Sequence, residues 1–473
     1  MAHYHIIGIA GAGMSAIANV LLDQGHMVSG SDMQHNALTA ALARRGALVQ
    51  RGHAAGHVAG ADVVLATSAV TADHVEIASA RAAGIPVRKR ADLWREWSQQ
   101  RPIVAVAGTH GKTTTTAMIA LIVQRAGRNP GFLIGADIPT LGTNAQWGNP
   151  AAPLIIEADE YDRTFLALAP CVAVVTNVEW DHVDSYPTRA EYDAAFQQFA
   201  AAVPDPRNLI VCGDDAGALR AIDTSGATLY GIDEALGRDP VSCRRALLDI
   251  SATNVRADAD GTYFDVWRYD QQTFATRSLG PHMLRLHGAH NVRNGLAALA
   301  AATALGVDQH AIAAGLAAYS GAERRFEIKG EAGGITVVDD YAHHPTEVQA
   351  TLAAARSRYP GRRLVVYMQP HTFSRTHALL AEWATAFGAA DVVRIGDIYA
   401  AREQNSLGID SATLVARIQH PDVVAVGGTE HAAATIIDIL LKGDVVLTLG
   451  AGDGHTVGAA ILAHVRSSMA DKL

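Results

Sequence analysis

Short apolar runs alternate with helix-like segments along most of the chain. The first apolar run, "YHIIGI", is followed by the amphipathic stretch "MSAIANVLLDQG", and later runs such as "DVVLAT" repeat this order. Strands that alternate with helices of this length are typical of βαβ units, in which helices cover both faces of a parallel sheet. The pattern therefore predicts an α/β protein with doubly wound, mainly parallel sheets.

The alternation restarts twice, which divides the chain into three units. Pro102 marks the first border, and a third series of strands begins near residue 322. Between about 226 and 287 the apolar positions recur every second residue, as in "GTYFDVWRYDQQTFATRS", which indicates antiparallel strands appended to the second unit. A chain of 473 residues has room for two or three cores. We predict domains at residues 1–100, 101–322 and 323–473.

Charge and composition exclude several function classes. The chain has 38 Lys and Arg against 47 Asp and Glu, a net charge of −9, so it lacks the basic surface that a nucleic-acid partner requires. Cys171, Cys212 and Cys243 are widely spaced and odd in number, which favours buried apolar roles over disulfides or a zinc site. The sequence has neither a leader pattern nor a long apolar run. We therefore expect a cytoplasmic protein that does not bind membranes.

The most informative motif is "VAVAGTHGKTTTT", residues 104–116. It predicts a buried strand, a turn containing Gly108 and Gly111, and a helix that begins near Lys112. Free N–H groups at the helix start and the lysine ammonium bind phosphate oxygens, and the Thr113 hydroxyl suits a Mg²⁺ ion. The usual phosphate-loop pattern has its first glycine at position 106, where this chain has Val106. The motif therefore predicts a shortened phosphate-binding loop.

Carboxylates and a histidine follow two further predicted strands. The segment "IIEADEYD" contains Glu157, Asp159, Glu160 and Asp162, which repel one another unless a cation or a basic partner lies nearby. Alternation places Glu157 and Asp159 on one face of the strand and Glu160 on the other. His182, in "TNVEWDHVD", lies at the same carboxyl edge of the predicted sheet. The pattern favours a metal site over a solvated acidic turn.

The N-terminal segment "GIAGAGMSA" fits a second type of nucleotide motif. Gly11, Gly13 and Ala16 have the spacing of the dinucleotide fingerprint, and Asp32 follows about 20 residues later, where an acid binds a ribose. The fingerprint indicates that a pyrophosphate binds at a helix start. It does not distinguish a nicotinamide cofactor from a UDP-sugar, and a purely structural glycine turn also stays open.

Taken together and in order, these motifs resemble the Mur ligase family, and in particular its alanine-adding members. The resemblance covers nearly the whole chain. It is specific because each motif is informative and their joint order is not expected by chance. It rests on "GIAGAGMSA", "SGSD", "AGTHGKTTTT", "EADEYD", "TNVEWDHVD", "GAHNVRN", "RRFE", "DDYAHHPTE" and "QPHTFSRT".

The resemblance implies a fold and an activity. It implies a Rossmann-like N-terminal UDP-sugar-binding domain, a P-loop ATPase-like central ATP-binding domain, and a Rossmann-like C-terminal domain that binds the amino acid and closes the site. The implied reaction joins L-alanine to the lactyl carboxylate of UDP-N-acetylmuramate through an acyl phosphate, for peptidoglycan synthesis, using ATP and two Mg²⁺ ions. A sister ligase that adds a peptide or another amino acid is the alternative. The implied state is a monomer or a homodimer.

The same resemblance implies roles for individual residues. Lys112, His343 and His344 would be catalytic. ATP would contact Gly108, Thr109, His110, Gly111, Lys112, Thr113, Thr114, His290, Asn291, Asn294, Arg325 and Asp340. The UDP-sugar would contact Gly11, Gly13, Met14, Ser31, Asp32, His53 and Ser68. The amino acid would contact Tyr341, His371 and Arg375, and the metal ions Thr113, Glu157 and His182.

Two positions depart from the alanine-adding pattern. Thr372 stands where some of these enzymes have Arg, so Arg375 would bind the amino-acid carboxylate alone or with another base. Tyr161 stands where many have Ser, whereas a related tripeptide ligase has Tyr. Two other classes are weaker alternatives. An NAD(P) oxidoreductase would leave Lys112 and Glu157 without a role, and a non-catalytic nucleotide-binding regulator needs no carboxylate–histidine metal pair.

Overall fold

The computed structural model describes residues 1–233, 248–271 and 273–470, and within them the strands form three sheets. In each sheet the central strands pair in parallel. This arrangement confirms the predicted α/β class with mainly parallel sheets. Cys243 lies outside the described residues, while Cys212 is buried, as expected, and Cys171 is only partly buried.

The first sheet is built from the N-terminal strands. These are β1 (His3–Ile7), β2 (Met27–Asp32), β3 (Leu48–Arg51), β4 (Val63–Ala66) and β5 (Val87–Arg88). The helices are α1 (Ala12–Asp23), α2 (Ala37–Arg44), α3 (Val75–Ala82) and α4 (Arg90–Gln100). All pairs are parallel in the order β3-β2-β1-β4-β5. The chain reverses its winding direction at β1, so the turn after β1 lies where ligands bind in open sheets of this kind.

The central sheet contains both parallel and antiparallel strands. Its strands are β6 (Ile103–Ala107), β7 (Gly131–Leu133), β8 (Ala145–Gln146), β9 (Leu154–Glu157), β10 (Val172–Val175), β11 (Leu209–Cys212), β12 (Thr228–Ile232), β13 (Ile250–Ala257), β14 (Thr262–Asp270) and β15 (Ala275–Leu284). Its helices are α5 (Lys112–Arg125), α6 (Arg189–Ala201), α7 (Ala216–Ala221), α8 (Ala289–Ala304) and α9 (Gln309–Ala318). The order is β15-β14-β13-β12-β11-β10-β6-β9-β7-β8.

The predicted antiparallel segment is confirmed, with one refinement. β13 pairs antiparallel with β14, and β14 with β15. However, β13 also pairs in parallel with β12, so this segment extends the central sheet and does not form a separate body. β6 lies between β10 and β9 and is fully buried on both faces, which explains its uninterrupted apolar sequence. The phosphate-loop motif therefore follows one of the most enclosed strands.

The third sheet has the order β16-β17-β21-β18-β19-β20. Its strands are β16 (Glu327–Ala332), β17 (Ile335–Asp340), β18 (Leu364–Met368), β19 (Val392–Gly396), β20 (Val423–Gly427) and β21 (Val445–Leu449). Its helices are α10 (Pro345–Arg358), α11 (Phe373–Ala378), α12 (Leu380–Trp383), α13 (Ser411–Val415), α14 (Thr429–Ile437) and α15 (His455–Ala470). Only β16, at one edge, runs antiparallel to its neighbour among the described strands. No helix in the described ranges has both the length and the hydropathy needed to cross a bilayer.

Candidate active site

The shortened phosphate loop connects β6 to α5. Gly108 and Gly111 have φ angles of +137° and +82°, values that side-chain-bearing residues rarely adopt. A Cβ atom at Gly108 would overlap the Thr176 hydroxyl, and one at Gly111 would overlap the Asn294 side chain. The loop therefore needs glycine at both positions, although its first glycine comes two residues later than in the usual pattern.

Lys112 folds back over this loop. Its ammonium donates to the carbonyl oxygens of Gly108 (2.6 Å) and Thr109 (3.1 Å) and to Glu160 Oε2 (2.8 Å). Burial opposes its charge, but Glu160 and the neighbouring carboxylates raise the pKa of Lys112, so the side chain stays protonated. The two carbonyl contacts are ones that a phosphate group can replace.

The acidic segment divides into two sites. Glu157 Oε1 accepts a hydrogen bond from the Thr113 hydroxyl (2.8 Å) and Oε2 accepts one from the Gly135 N–H (2.6 Å), and burial raises its pKa. Glu160 is fully buried and lies 3.5 Å from His182 Nε2. Although burial opposes ionisation, Lys112 and His182 lower the pKa of Glu160 to about 2. The structure thus pairs His182 with Glu160, and an ion shared between His182 and Glu157 stays a prediction.

The donor atoms fit magnesium at the first of these sites. The Thr113 hydroxyl and the Glu157 carboxylate are hard oxygen donors that already face each other, and Mg²⁺ prefers oxygen ligands of this kind. Near His182, ligand atoms of Asp159, Glu160 and the histidine lie within 4.8 Å of one another. This second cluster also has the composition of a cation site, but with a different carboxylate from the one that the sequence indicated.

A cavity of about 340 Å³ opens beside the phosphate loop. Its wall includes the five residues outside the loop that were expected to contact ATP: His290, Asn291, Asn294, Arg325 and Asp340. The predicted nucleotide residues thus come together from the second domain, the third domain and the hinge between them, where Arg325 lies. Burial lowers the pKa of His290 to about 4 and raises that of Asp340 to about 6. At neutral pH His290 is therefore neutral, whereas Asp340 is still mostly ionised.

A larger cleft of about 1080 Å³ lies between the three domains. The first domain contributes Gly13 and Arg90, and the second contributes Lys112, Glu157 and His182. The third domain contributes Tyr341, His343, His371 and Arg375. The predicted phosphate, metal and amino-acid residues therefore face one common space.

The expected UDP-sugar residues surround the carboxyl edge of the first sheet. Asp32 accepts a hydrogen bond from the Ala10 N–H (3.0 Å) and so stabilises the glycine turn. Ser31 lies 3.0 Å from His53 Nδ1 and donates to the buried carboxylate of Glu76 (2.6 Å). Met14 is buried, while Gly11 and Ser68 lie in the turns after β1 and β4. Sequence reasoning missed Glu76, because nothing around "VEIASA" distinguishes it from an exposed helix residue.

On the third domain, the two adjacent histidines have different roles. His343 lines the cleft, and its Nδ1 donates to the Tyr341 carbonyl (2.9 Å), so its Nε2 keeps a lone pair. Burial lowers the pKa of His343 to about 3, with Glu347 opposing the shift and Arg375 adding to it. His344 caps helix α10 through Nδ1 and is almost completely buried. The geometry therefore favours His343 over His344 as the group that meets the amine.

Arg375 has fewer hydrogen-bond donors available for a substrate than the sequence suggested. Its guanidinium donates to both carboxylate oxygens of Asp181, at 2.7 and 3.2 Å, and both side chains are buried. Its third nitrogen lies 3.2 Å from His371 Nδ1. Arg375 thus joins the third domain to the second, and only part of its hydrogen-bonding capacity faces the cleft. A role in binding a carboxylate stays a prediction.

The two departures from the alanine-adding pattern lie at the rim of the site. Thr372 precedes α11 with a φ of +65°. Tyr161 packs edge-on against the ring of His182, with centroids 5.3 Å apart, and its hydroxyl contacts Asp184 and Arg402. Tyr161 therefore helps to fix the predicted metal ligand His182.

Sequence reasoning missed several residues that line the two cavities. Arg44, Arg45 and Arg90 add positive charge to the first-domain side of the cleft. Glu347 lines both cavities. The sequence does carry a signal for Glu347, because "HPTE" has the spacing of a helix capping box, with the acid three residues after the cap. The arginines carry none, since exposed arginines are common on helices.

Models of protein families match three consecutive parts of the chain. The model described as "Mur ligase family, catalytic domain" matches residues 3–101, "Mur ligase middle domain" residues 106–302, and "Mur ligase, glutamate ligase domain" residues 324–452.

Curated relatives match over nearly their full length. UDP-N-acetylmuramate–L-alanine ligase of Roseiflexus sp. (strain RS-1) is 64% identical over 98% of this chain and 99% of its own. The enzyme of that name from Chloroflexus aggregans is 57% identical over the whole of both chains. Among solved structures, UDP-N-acetylmuramate-alanine ligase from Thermotoga maritima is 25% identical, with a TM-score of 0.79 over 99% of this chain and 100% of its own. A murein peptide ligase from Psychrobacter arcticus, 24% identical, shares the fold with a TM-score of 0.74 over 98% and 99% of the two chains.

Proposed function

The chain belongs to the Mur ligase family, and on that premise we propose that it uses ATP to join L-alanine to the lactyl carboxylate of UDP-N-acetylmuramate. The proposal rests on one observation above all. The phosphate loop, the glycine turn of the first domain and the amino-acid residues of the third domain face a single cleft. The names of the relatives at 64% and 57% identity support the choice of alanine. A reaction that consumes ATP also supports the expected cytoplasmic location.

The need for ATP follows from the chemistry of the carboxylate. A carboxylate does not react with an amine at a useful rate, because its negative charge repels the nucleophile and oxide is a poor leaving group. Transfer of the γ-phosphoryl group of ATP to the carboxylate oxygen gives an acyl phosphate and ADP. The amine then attacks the acyl carbon, and phosphate leaves. The protein must therefore bring two anions together and stabilise the charge that spreads over the transferring group.

Lys112 and the start of α5 are suited to that task. In our proposal the Lys112 ammonium exchanges its contacts with the Gly108 and Thr109 carbonyls for contacts with phosphate oxygens. Its ion pair with Glu160 stays in place. Thr113 and Glu157 would hold one Mg²⁺ ion, which neutralises phosphate charge when bound. His182, with Glu160 or Glu157, would hold a second.

The sugar nucleotide would bind across the first domain. Its pyrophosphate would meet the N-terminus of α1 at Gly11 and Gly13, where free N–H groups favour anions. Ser31, Asp32 and His53 would face the rest of the UDP group. The lactyl carboxylate then extends toward Lys112 across the common cleft.

On the amine side, His343 would receive the nucleophile. The ring proton is on Nδ1, where it is donated to the Tyr341 carbonyl. The Nε2 lone pair can therefore accept a hydrogen bond from the amine and orient it. Because burial lowers its pKa to about 3, His343 would orient the amine as a neutral acceptor, and any proton would pass on to water. His371 and Arg375 would contact the amino-acid carboxylate.

Mass spectrometry of the product tests this proposal most directly. The purified protein is incubated with ATP, Mg²⁺, UDP-N-acetylmuramate, a mixture of amino acids and the cell-wall tripeptide. We expect one main product, heavier by an alanine residue, formed only when ATP is present. A tripeptide adduct would favour the sister ligase, for which Tyr161 is the specific observation. Turnover of NAD(P)H with no ligated product would contradict the whole assignment.

A further inference from the structure

Glu347 occupies an ordinary position in an unusual setting. It is the third residue of α10, and its Oε2 accepts hydrogen bonds from the backbone N–H groups of His343 (2.9 Å) and His344 (3.2 Å). This is the reciprocal half of a capping box. Such acids commonly point their second oxygen into solvent, but the side chain of Glu347 is only 10% exposed.

The second oxygen of Glu347 contacts a different domain. Its Oε1 lies 3.1 Å from His110 Nδ1, in the phosphate loop, and 3.6 Å from the guanidinium of Arg325, at the hinge. His110 also contacts Glu179 through its other ring nitrogen (3.0 Å). Although burial alone would lower it, Glu347 and Glu179 raise the pKa of His110 to about 9, so the ring is a cation at neutral pH. One oxygen of the Glu347 carboxylate, Oε1, therefore pairs with cationic side chains, and the other, Oε2, accepts hydrogen bonds from the backbone.

Glu347 lies between the residues expected to bind ATP and those expected to bind the amine. Glu347 lines both the nucleotide cavity and the larger cleft. Its Oε2 holds the backbone of His343, whose ring is proposed to meet the amine. Its Oε1 holds His110, which belongs to the loop expected to bind ATP. A helix cap would need only the first of these contacts.

We propose that Glu347 is a positioning residue that couples the phosphate loop to the amine side, so that the acyl phosphate reacts with the amine and not with water. This inference rests on the proposed function. The two outcomes are chemically distinct. Attack by the amine forms the amide and releases phosphate, whereas attack by water regenerates the carboxylate and releases phosphate, so ATP is consumed without a product.

Glu347→Gln separates the two roles of the side chain. The glutamine oxygen still accepts the backbone N–H bonds of the capping box, so α10 keeps its start. The neutral amide loses the charge pairing with His110 and Arg325. We expect the ratio of ADP released to amide formed to rise several-fold above one, and the KM for L-alanine to rise about tenfold. The melting temperature should stay close to that of the unchanged protein.

Glu191→Gln is the matched control. Glu191 is also the third residue of its helix, α6, but it is exposed and pairs only with a surface arginine in the described contacts. Its substitution should leave the ratio and the KM unchanged. Glu347→Asp retains the charge on a shorter side chain and should restore part of the coupling.

Two results would overturn the inference. One is a Glu347→Gln protein with one ADP per amide and an unchanged KM for alanine. The other is a uniform loss of every rate together with a lowered melting temperature, which would indicate only a structural cap. The unchanged protein is assayed in parallel, and its failure to form the amide would refute the proposed function itself, independently of Glu347.

Discussion

Two glycine turns of this molecule look alike in sequence and differ in structure. One follows β1 in the first sheet and the other follows β6 in the central sheet. Each lies at the carboxyl edge of a strand with parallel neighbours on both sides, and each has glycine at the N-cap of the next helix, Gly11 for α1 and Gly111 for α5. From these shared features alone, both turns are expected to bind phosphate groups.

Each turn starts with a glycine of positive φ, Gly8 and Gly108, so their backbones differ at the N-cap glycine. Gly11 has a φ of −68°, which any residue adopts, whereas Gly111 has a φ of +82°. The source of positive charge also differs. The second turn carries its own cation, Lys112, while the first has none, and Arg90 at the start of α4 approaches Gly13 from outside.

We propose that this difference corresponds to a difference in task. A lysine is a compact charge on a flexible stem, suited to following a phosphoryl group that moves, whereas the planar fork of an arginine suits a diphosphate that stays in place. We therefore assign bond making to the second turn and binding to the first. Substitutions at matched positions test this assignment.

The largest expected effect comes from Lys112→Ala. Loss of the ammonium removes the charge that stabilises the transferring phosphoryl group, so we expect turnover to fall by about a thousandfold or more. Steady-state ADP release with saturating substrates measures this change. Activity within tenfold of the unchanged protein would show that the second turn does not perform the chemistry.

That variant needs a control for folding. Glu160 is fully buried and pairs with Lys112 at 2.8 Å, so the alanine variant leaves a buried carboxylate with only His182 and Tyr192 as polar side-chain neighbours in the described contacts. The double variant Lys112→Ala, Glu160→Gln removes that uncompensated charge. It should regain thermal stability and remain inactive.

Gly111→Ala should have the next largest effect. The alanine is strained by about 1–2 kcal/mol at this φ, and its Cβ would displace the Asn294 side chain from the nucleotide cavity. We expect lower stability and a KM for ATP raised about tenfold. Gly127→Ala is the control, because Gly127 has a φ of +74° and nothing within 4 Å of an added Cβ. It should have a similar stability cost and an unchanged KM.

The sequence predicted more of the second turn than of the first. Lys112 and Thr113 begin the helix that follows β6, and Glu157 ends β9. Alternating strand and helix patterns place all three at the carboxyl edge of one sheet. Arg90 and Glu76 were not predicted, because each acts from a distant helix with no local motif. Arg90 approaches Gly13, and Glu76 contacts His5 and Ser31. Side chains that act across elements depend on packing, which periodicity does not encode.

The prediction of the fold was limited in the same way, because periodicity does not encode packing. Most of the buried parallel strands were predicted because they are continuous apolar runs bounded by turns, although the equally buried β11 was not. β16 and β20 are edge strands with mixed exposure. The polar sequence of β16 resembles that of a loop, whereas the apolar run of β20 is a strand signal that was overlooked. The pairing of His182 with Glu160 was also missed, since alternation gives the face of a residue and not the partner across the sheet.

Arg90→Ala tests the first turn, and its expected effect is of intermediate size. If the guanidinium contacts the pyrophosphate, its removal costs one charge-assisted interaction, and the KM for the UDP-sugar should rise about tenfold with little change in kcat. Arg95→Ala, on the same helix but exposed, should change neither value. An equal fall in kcat would indicate instead that Arg90 acts in the chemical step through its 3.6 Å contact with Asp159. That result would remove the distinction between the two turns.

The smallest effect is expected for Gly11→Ala, the counterpart of Gly111→Ala. The φ of Gly11 suits alanine, and the added Cβ would lie 3.4 Å from the Gly8 carbonyl oxygen, an ordinary contact. The cost in unfolding free energy should be about 1 kcal/mol, because alanine is a poorer helix cap than glycine but needs no strained backbone here. Chemical denaturation measures it, and the KM for the UDP-sugar should change less than about threefold. A destabilisation as large as that of Gly111→Ala would mean that both turns are strained alike, and the difference between them would then rest on the lysine alone.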